Sequence, residues 1–458
     1  MTTYKTVNPA NGTTVKEFES LDAQGVERAL ASADAGYRTW RSTSPKHRAE
    51  TLHKVAEIYT ERADELARSI ALEMGKPVAE AKGEVELSSA IYQYYADNGP
   101  ALLEEERLDV PGAEESVVQR KPIGALIGVM PWNYPYYQVA RFAAPNLMLG
   151  NTILLKHAPN CPQSALLMEE IFHQAGLPED AYINIFATND QIAEMIADPR
   201  VQGVSLTGSE RAGTSVAETA GRNLKKVVLE LGGSDVFIVL DTDDIDSTVE
   251  SATRARLSNA GQACNAAKRI VVTERYYDEF VTKLTESFAQ TKTGDPLDEH
   301  TRLGPLSSQT AADNLVEQID DAVAKGATLR TGGKKIDGPG SYVEPTLLTD
   351  VTPDMRAYSE ELFGPAGVVY KVKDADEAIA LANESAFGLS GSVWSTDLEG
   401  ARAVAERLDV GMAFVNEHGT TLPGLPFGGV KRSGVGRELG PWGMDEFVNK
   451  KLVRVSKK

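Results

Sequence analysis

Gly124-Ala125-Leu126-Ile127-Gly128-Val129-Met130-Pro131-Trp132-Asn133-Tyr134-Pro135 is the stretch on which the fold turns. Ala125–Met130 is a near-continuous apolar run closed by two prolines four positions apart. A strand with one wet face alternates apolar and polar residues, whereas an unbroken run reads as a strand covered on both faces, as in a parallel sheet. The same signature recurs at Thr152–Leu155, Ile183–Phe186, Gly203–Leu206, Val227–Leu231 and Val236–Leu240. Helical stretches lie between the runs, for example Gln163–Ala175, which Gly176 and Pro178 terminate. This alternation predicts a doubly wound α/β unit between Gly124 and Leu240. Such sheets bind ligands beyond the carboxyl ends of their strands, so the residues that follow each run matter most.

Upstream, Leu52, Val55, Tyr59, Ala63, Leu66, Ile70 and Met74 recur at spacings of three and four and predict one long helix from Pro45 to Gly75, with Ser44 as its cap. Downstream, Asp243 to Gly411 mixes strands (Arg269–Thr273, Val368–Val372) with helices (Tyr276–Lys292, Thr310–Lys325, Ala375–Asn383) and predicts a second α/β domain. Ser116–Lys121 and Lys451–Ser456 alternate like half-exposed strands and have no evident partner in either domain. Pairing with another subunit and pairing within one chain are both open to them.

The 458 residues suggest about three domains. With 42% hydrophobic and 25% charged residues and no repeats, the composition is that of a folded globular protein. Forty-seven basic against 66 acidic residues leave a net charge of −19 spread along the chain, which argues against nucleic acid as a partner. Met1-Thr2-Thr3-Tyr4-Lys5 lacks the apolar core of a signal peptide, and no apolar run has the length to span a bilayer. Two cysteines far apart make no disulfide framework, and a reducing, cytoplasmic setting is expected. The six histidines are scattered and neither a metal-ligand spacing nor a Walker phosphate loop occurs, so no metal is expected.

Against that background Cys264, in Asn259-Ala260-Gly261-Gln262-Ala263-Cys264, and Glu230, in Leu229-Glu230-Leu231-Gly232-Gly233, supply a soft nucleophile and a base. A thiolate can attack a carbonyl and hold the adduct; a carboxylate can then activate water to release it. Asn133, fixed between prolines, offers an amide N–H to an oxyanion. Thr207-Gly208-Ser209 leads a strand into a helix whose N-terminus favours phosphate, and Lys156 ends another strand as a candidate ribose or phosphate ligand.

Taken together, Pro131–Pro135, Lys156, Thr207-Gly208-Ser209, Glu230–Gly233, Gly261–Cys264, Glu360-Glu361-Leu362-Phe363-Gly364-Pro365 and Pro426-Phe427-Gly428-Gly429 resemble the aldehyde dehydrogenase superfamily in order and spacing across nearly the whole chain. Within it, the likeness is to bacterial succinate-semialdehyde dehydrogenases, through Lys156-His157-Ala158-Pro159-Asn160 and Leu231-Gly232-Gly233-Ser234-Asp235. The resemblance implies two doubly wound α/β domains and a small β oligomerisation element: residues 1–103 and 123–231 for cofactor, 232–432 for catalysis, 104–122 and 446–458 for assembly into a homodimer or homotetramer. It implies that Cys264 attacks the aldehyde, that Asn133 and the Cys264 N–H hold the oxyanion, and that Glu230 activates the water that hydrolyses the thioester. Trp132, Lys156, Pro159, Gly208, Ser209, Leu231, Glu361 and Phe363 fall on cofactor positions. Pro159 replaces a glutamate found in many NAD-preferring members, so NADP is expected to be accepted alongside NAD. Arg141 matches an arginine that takes the remote carboxylate of the substrate, and Thr421 offers a hydroxyl; a second family arginine is replaced by Ser258. Oxidation of succinic semialdehyde to succinate is thus expected. The alternatives are another small or aromatic aldehyde, or a non-catalytic binding protein on the same fold, whose signature would be loss of the cysteine or the glutamate.

Overall fold

The computed structural model describes residues 4–457; residues 1–3 and 458, which fall inside the expected cofactor and oligomerisation spans, lie outside the described residues. A six-stranded sheet runs in the order Gly434–Val435, Lys226–Glu230, Val201–Thr207, Ala125–Met130, Thr152–His157, Tyr182–Asn184. Its neighbours are parallel except at the Gly434–Val435 edge. The chain enters at Ala125–Met130, winds outward through Thr152–His157 and Tyr182–Asn184, and returns to Val201–Thr207 on the other side of its starting strand. Strand order therefore reverses between Ala125–Met130 and Val201–Thr207, where a crevice opens at the carboxyl ends. Asn133 and Gly208 leave those two strands directly.

Both faces of this sheet are covered, which explains the unbroken apolar runs. Leu126, Ile153 and Leu155 join a core with Phe142 and Leu147 of the helix Pro135–Leu149, while Ile127, Leu154 and Val204 face a second core with Ala33 and Ile192. Pro135–Leu149 is itself buried at every residue. Pro135 opens it with a preset φ, and Gly150, at φ +102°, ends it.

A seven-stranded sheet follows, ordered Thr328–Thr331, Thr346–Thr349, Ala366–Val372, Ala267–Thr273, Asp235–Val239, Ser390–Trp394, Met412–Val415, parallel apart from its Thr328–Thr331 edge. The run expected at Val236–Leu240 belongs here and not to the first unit: Asp235–Val239 pairs with Ala267–Thr273 and Ser390–Trp394. A run buried on both faces looks the same in either sheet, so its composition carries no sign of which one it joins.

The long helix expected from Pro45 to Gly75 is two helices, Pro45–Glu61 and Ala63–Met74, separated at Arg62 (φ −101°, ψ 16°). Arg62 pairs with Glu65 and Glu170 at this corner. A break of one residue leaves the apolar spacing almost undisturbed, which is why periodicity passes over it. Ala113–Pro122 and Val448–Ser456, left without partners by the sequence, pair antiparallel with each other in a three-stranded sheet completed by Glu106–Arg107. Val448–Ser456 forms its outer strand and is mostly exposed.

Candidate active site

Cys264 ends an unusual turn. Asn259, Ala260 and Gly261 all have positive φ, at 52°, 53° and 71°. Two non-glycine residues in the left-handed region cost stability and persist only where neighbours hold them. Here the Asn259 N–H donates to Glu80 Oε2 at 2.6 Å, its side-chain Nδ2 donates to the carbonyls of Asn133 and Gln262, and Gln262 Oε1 accepts from the Ser307 N–H. Asn133 is buried and its Nδ2 donates to the Gln262 carbonyl at 3.0 Å. One amide N–H of Asn133 is thereby anchored to the nucleophile's own turn while the second remains for a ligand. The backbone N–H of Cys264 has no acceptor among the described residues. Helix Val78–Leu102 supports both walls: Glu80 holds the Asn259 turn, and Glu84, four residues on, accepts from the Tyr136 N–H at the start of Pro135–Leu149.

A single glycine joins three of the expected groups. A Cβ at Gly233 would lie 1.9 Å from the Cys264 carbonyl oxygen, so no other residue fits there without movement. The Gly233 N–H donates to Glu361 Oε1 at 2.9 Å, and Glu230 lies three residues upstream at the end of its strand. The Cys264 thiol is pushed up to about 12 by burial, against the pull of the Arg141 charge. Glu230 is 1% exposed and neither carboxylate oxygen has a hydrogen-bond partner among the described residues. Burial holds its carboxyl well above the usual range, opposed by Arg141 and aided by Glu438. A protonated thiol beside an unpaired interior carboxyl is suited to proton transfer during a reaction, since neither group is committed to a structural bond.

Two cavities adjoin this turn. One, of 290 Å³, is lined by Pro131, Trp132, Asn133, Gln138, Thr207, Gly208, Ser209, Leu231, Gly232, Cys264, Glu361 and Phe363. Eight of the residues singled out in the sequence meet there: Trp132, Asn133, Gly208, Ser209, Leu231, Cys264, Glu361 and Phe363. Trp132 and Phe363 pack edge to face at 5.6 Å, making an aromatic wall. Ser209 caps the helix Glu210–Arg222, Gly213 of that helix packs on Leu231, and the Gly208 N–H is tied to the Glu230 carbonyl at 2.9 Å. Glu361 is raised to about 7 by burial, against the Gly233 N–H. Lys156 and Pro159 stand at and beyond the end of the neighbouring strand and do not line this cavity. Lys156 is buried, its side chain has no hydrogen bond or ion pair among the described residues, and burial lowers it to about 8. A buried ammonium without an anion, an aromatic wall and a capped helix N-terminus fit a nicotinamide dinucleotide phosphate. Gln138 and Thr207 were not singled out as ligands; Thr207 stood within a quoted motif, while nothing in the sequence distinguishes Gln138 from the rest of its helix.

The second cavity, of 610 Å³, touches Tyr134, Ala263, Asn265 and Ala266, on both sides of the nucleophile in sequence, and is completed by Ile245–Leu257 and the loop at Asn416–Thr420. Arg141 and Thr421 line neither cavity. Arg141 Nε pairs with Glu438 Oε2 at 2.7 Å, both side chains are enclosed, and the guanidinium covers the Phe427 ring at 4.2 Å. Nη1 donates to the Tyr137 hydroxyl, which Thr421 also contacts. Glu438 lies far along the chain from Arg141, with no local signal to connect them.

The crevice at the strand reversal gathers the cysteine turn and the anchored asparagine, with the isolated glutamate at the end of an adjoining strand. The aldehyde dehydrogenase family model matches residues 1–453, and the chain belongs to that family. It is 56% identical over 451 residues to succinate-semialdehyde dehydrogenase (NADP+) of Deinococcus radiodurans, covering 98% of this chain and 94% of that protein. It is 45% identical over 455 residues to an aldehyde dehydrogenase of Paenarthrobacter nicotinovorans, covering 98% and 99%. The crystal structure of succinic semialdehyde dehydrogenase from Streptococcus pyogenes in complex with NADP+ superposes with a TM-score of 0.97 at 43% identity, covering 99% of this chain and all of that one.

Proposed function

We propose that this chain oxidises succinic semialdehyde to succinate, with NADP as its main cofactor and NAD also accepted. The observation that carries the reading is that Cys264 lines a cavity with dinucleotide-binding character, while its neighbours Ala263 and Asn265 line a second, largely polar one. The printed activities of the Deinococcus and Streptococcus proteins support it.

Cys264 Sγ attacks the aldehyde carbon as its proton departs, forming a thiohemiacetal. The free amide N–H of Asn133 and the backbone N–H of Cys264 hold the oxyanion. Bound NADP supplies the hydride acceptor, and Trp132, Gly208, Ser209, Leu231, Glu361 and Phe363 are the residues to hold it, with Lys156 near Pro159 for its ribose or phosphate groups. Glu230 then takes a proton from water, the resulting hydroxide adds to the thioester carbon, and the C–S bond breaks to release succinate. Residues 1–103 and 123–231 serve the cofactor and 232–432 the chemistry. The spans 104–122 and 446–458 present the outer strand Val448–Ser456 for assembly of a homodimer or homotetramer. Among the described residues no helix is long and apolar enough to cross a membrane; a cytoplasmic enzyme is the setting proposed, with its two cysteines unpaired.

Steady-state kinetics on a panel of aldehydes with both cofactors tests this. Succinic semialdehyde with NADP is expected to give the highest kcat/KM, and Cys264→Ala to abolish oxidation. A higher kcat/KM for an uncharged or aromatic aldehyde would replace the substrate, and full turnover by the alanine variant would remove the cysteine from the mechanism.

A further inference from the structure

Lys76, Glu80 and Glu84 stand at intervals of four around the start of helix Val78–Leu102 and read in the sequence as the charged face of a surface helix. The fold gives them other partners. Lys76 and Glu84 form an ion pair whose side chains are both almost wholly buried. Glu84 Oε2 takes the Lys76 ammonium, and Oε1 accepts from the Tyr136 N–H at 2.9 Å and the Tyr137 N–H at 3.3 Å. Those two N–H groups open helix Pro135–Leu149, whose own cap residue, Tyr134, makes no side-chain cap. Pro135 has no N–H to satisfy, so a carboxylate from another helix completes the first turn, where the helix dipole favours negative charge. The Lys76 ammonium also lies 3.5 Å from the centre of the Tyr134 ring. Tyr134, Tyr136 and Tyr137 are thus fixed directly after Asn133. On the other side, Glu80 accepts from the Asn259 N–H at 2.6 Å, and Asn259 Nδ2 donates to the Asn133 carbonyl at 2.9 Å.

We infer that Glu84 is a positioning residue: with Lys76 fixing its carboxylate, it sets where the free amide N–H of Asn133 points relative to the Cys264 N–H. This rests on the oxyanion role proposed above for those two groups and deepens it by naming what fixes their separation. Asn133 has one amide N–H committed to the Gln262 carbonyl and one left for the oxyanion. A donor stabilises a developing charge only if it is held in place before the reaction, and displacement by about 1 Å costs on the order of a hundredfold in rate. Strand Ala125–Met130 ends before Asn133, so rigidity on its far side comes from the helix, and Glu84 fastens the start of that helix. Lys76 is what keeps Glu84 in this pose. A buried carboxylate without its cation would take up a proton, and one oxygen would turn from acceptor to donor.

The test removes the two buried charges together, so that neither double variant carries an unpaired one in the core. Steady-state kinetics with succinic semialdehyde and NADP compare wild type, Lys76→Met/Glu84→Gln, which keeps the acceptor oxygen, and Lys76→Met/Glu84→Leu, which does not. The leucine variant is expected to lose about tenfold or more in kcat, and in kcat/KM equally, with most of the loss restored by glutamine. Alkylation of Cys264 by iodoacetamide, a displacement that forms no oxyanion, is expected to proceed at the same rate in both variants. Glu84→Asp, which keeps the charge and draws the acceptor back by one methylene, is expected to lower kcat in the same way to a smaller extent. Equal kcat in the glutamine and leucine variants, wild-type kcat in Glu84→Asp, or alkylation slowed in step with kcat would overturn the positioning role. Asn133→Ala with undiminished kcat would instead overturn the oxyanion reading and this inference with it.

Discussion

At the residue scale, the central fact is a carboxyl group buried without a partner. Glu230 has unpaired oxygens, its strand neighbours fix its backbone through Gly208 and Gly434, and Gly428 leaves room for the carboxylate, since a Cβ there would lie 2.7 Å from Oε1. Desolvation holds the proton on, the Arg141 charge opposes this, and Glu438 adds to it, with Arg437 and Glu446 acting more weakly. A base works only when deprotonated, so a raised value means that activity is lost on the acid side at a higher pH than for a solvated glutamate, which titrates near ~4.3. The expected pH profile of kcat therefore climbs through the range between that value and neutrality or beyond, and Glu230→Gln flattens this limb while lowering kcat. A wild-type kcat already level at pH ~5 would contradict it. The positions of Cys264, Glu230 and Asn133 at the ends of their strands and turn were legible in the sequence because their motifs are local; their roles stand as proposed above. The Arg141–Glu438 ion pair was not legible, because only the folded chain brings Glu438 to Arg141.

At the scale of elements, the site is built where loops from different strands are fastened together. Arg256 is the clearest fastening: its fully buried guanidinium joins the nucleophile turn at Gly261 to the Leu362–Gly364 segment that carries Phe363, next to Glu361. Removing it would leave the buried Gly261 and Leu362 carbonyls unpaired, at a cost of about 1–3 kcal/mol each, while the Gly364 carbonyl keeps the Ala366 N–H. Arg256→Ala is expected to raise the KM for cofactor and lower kcat/KM by tenfold or more, with a lowered Tm. Unchanged cofactor KM in a variant of reduced Tm would mean that Arg256 serves stability alone. The elements themselves were largely readable, since buried parallel strands and capped helices announce themselves in composition. What periodicity missed has physical reasons. The corner at Arg62 shifts the apolar stripe by one residue, within the tolerance of a helical face. Asp235–Val239 is apolar for the same reason in either sheet, and only the register with Ala267–Thr273 assigns it.

At the scale of the whole molecule, the cysteine turn adjoins two cavities, one lined by Cys264, Trp132 and Phe363 and the other by Ala263 and Asn265, and the proposed mechanism gives the dinucleotide the first and the activation of water to Glu230. This division assigns acylation to one set of residues and deacylation to another, and the two steps can be separated. In Glu230→Gln, mixing with succinic semialdehyde and NADP should give a burst of reduced cofactor of about one equivalent per site, followed by slow turnover. Quenching during the burst and weighing the peptide that contains Cys264 is the most direct measurement of the central claim. A succinyl group on that peptide is the predicted result. Continued production of succinate with no mass added to Cys264 would contradict it.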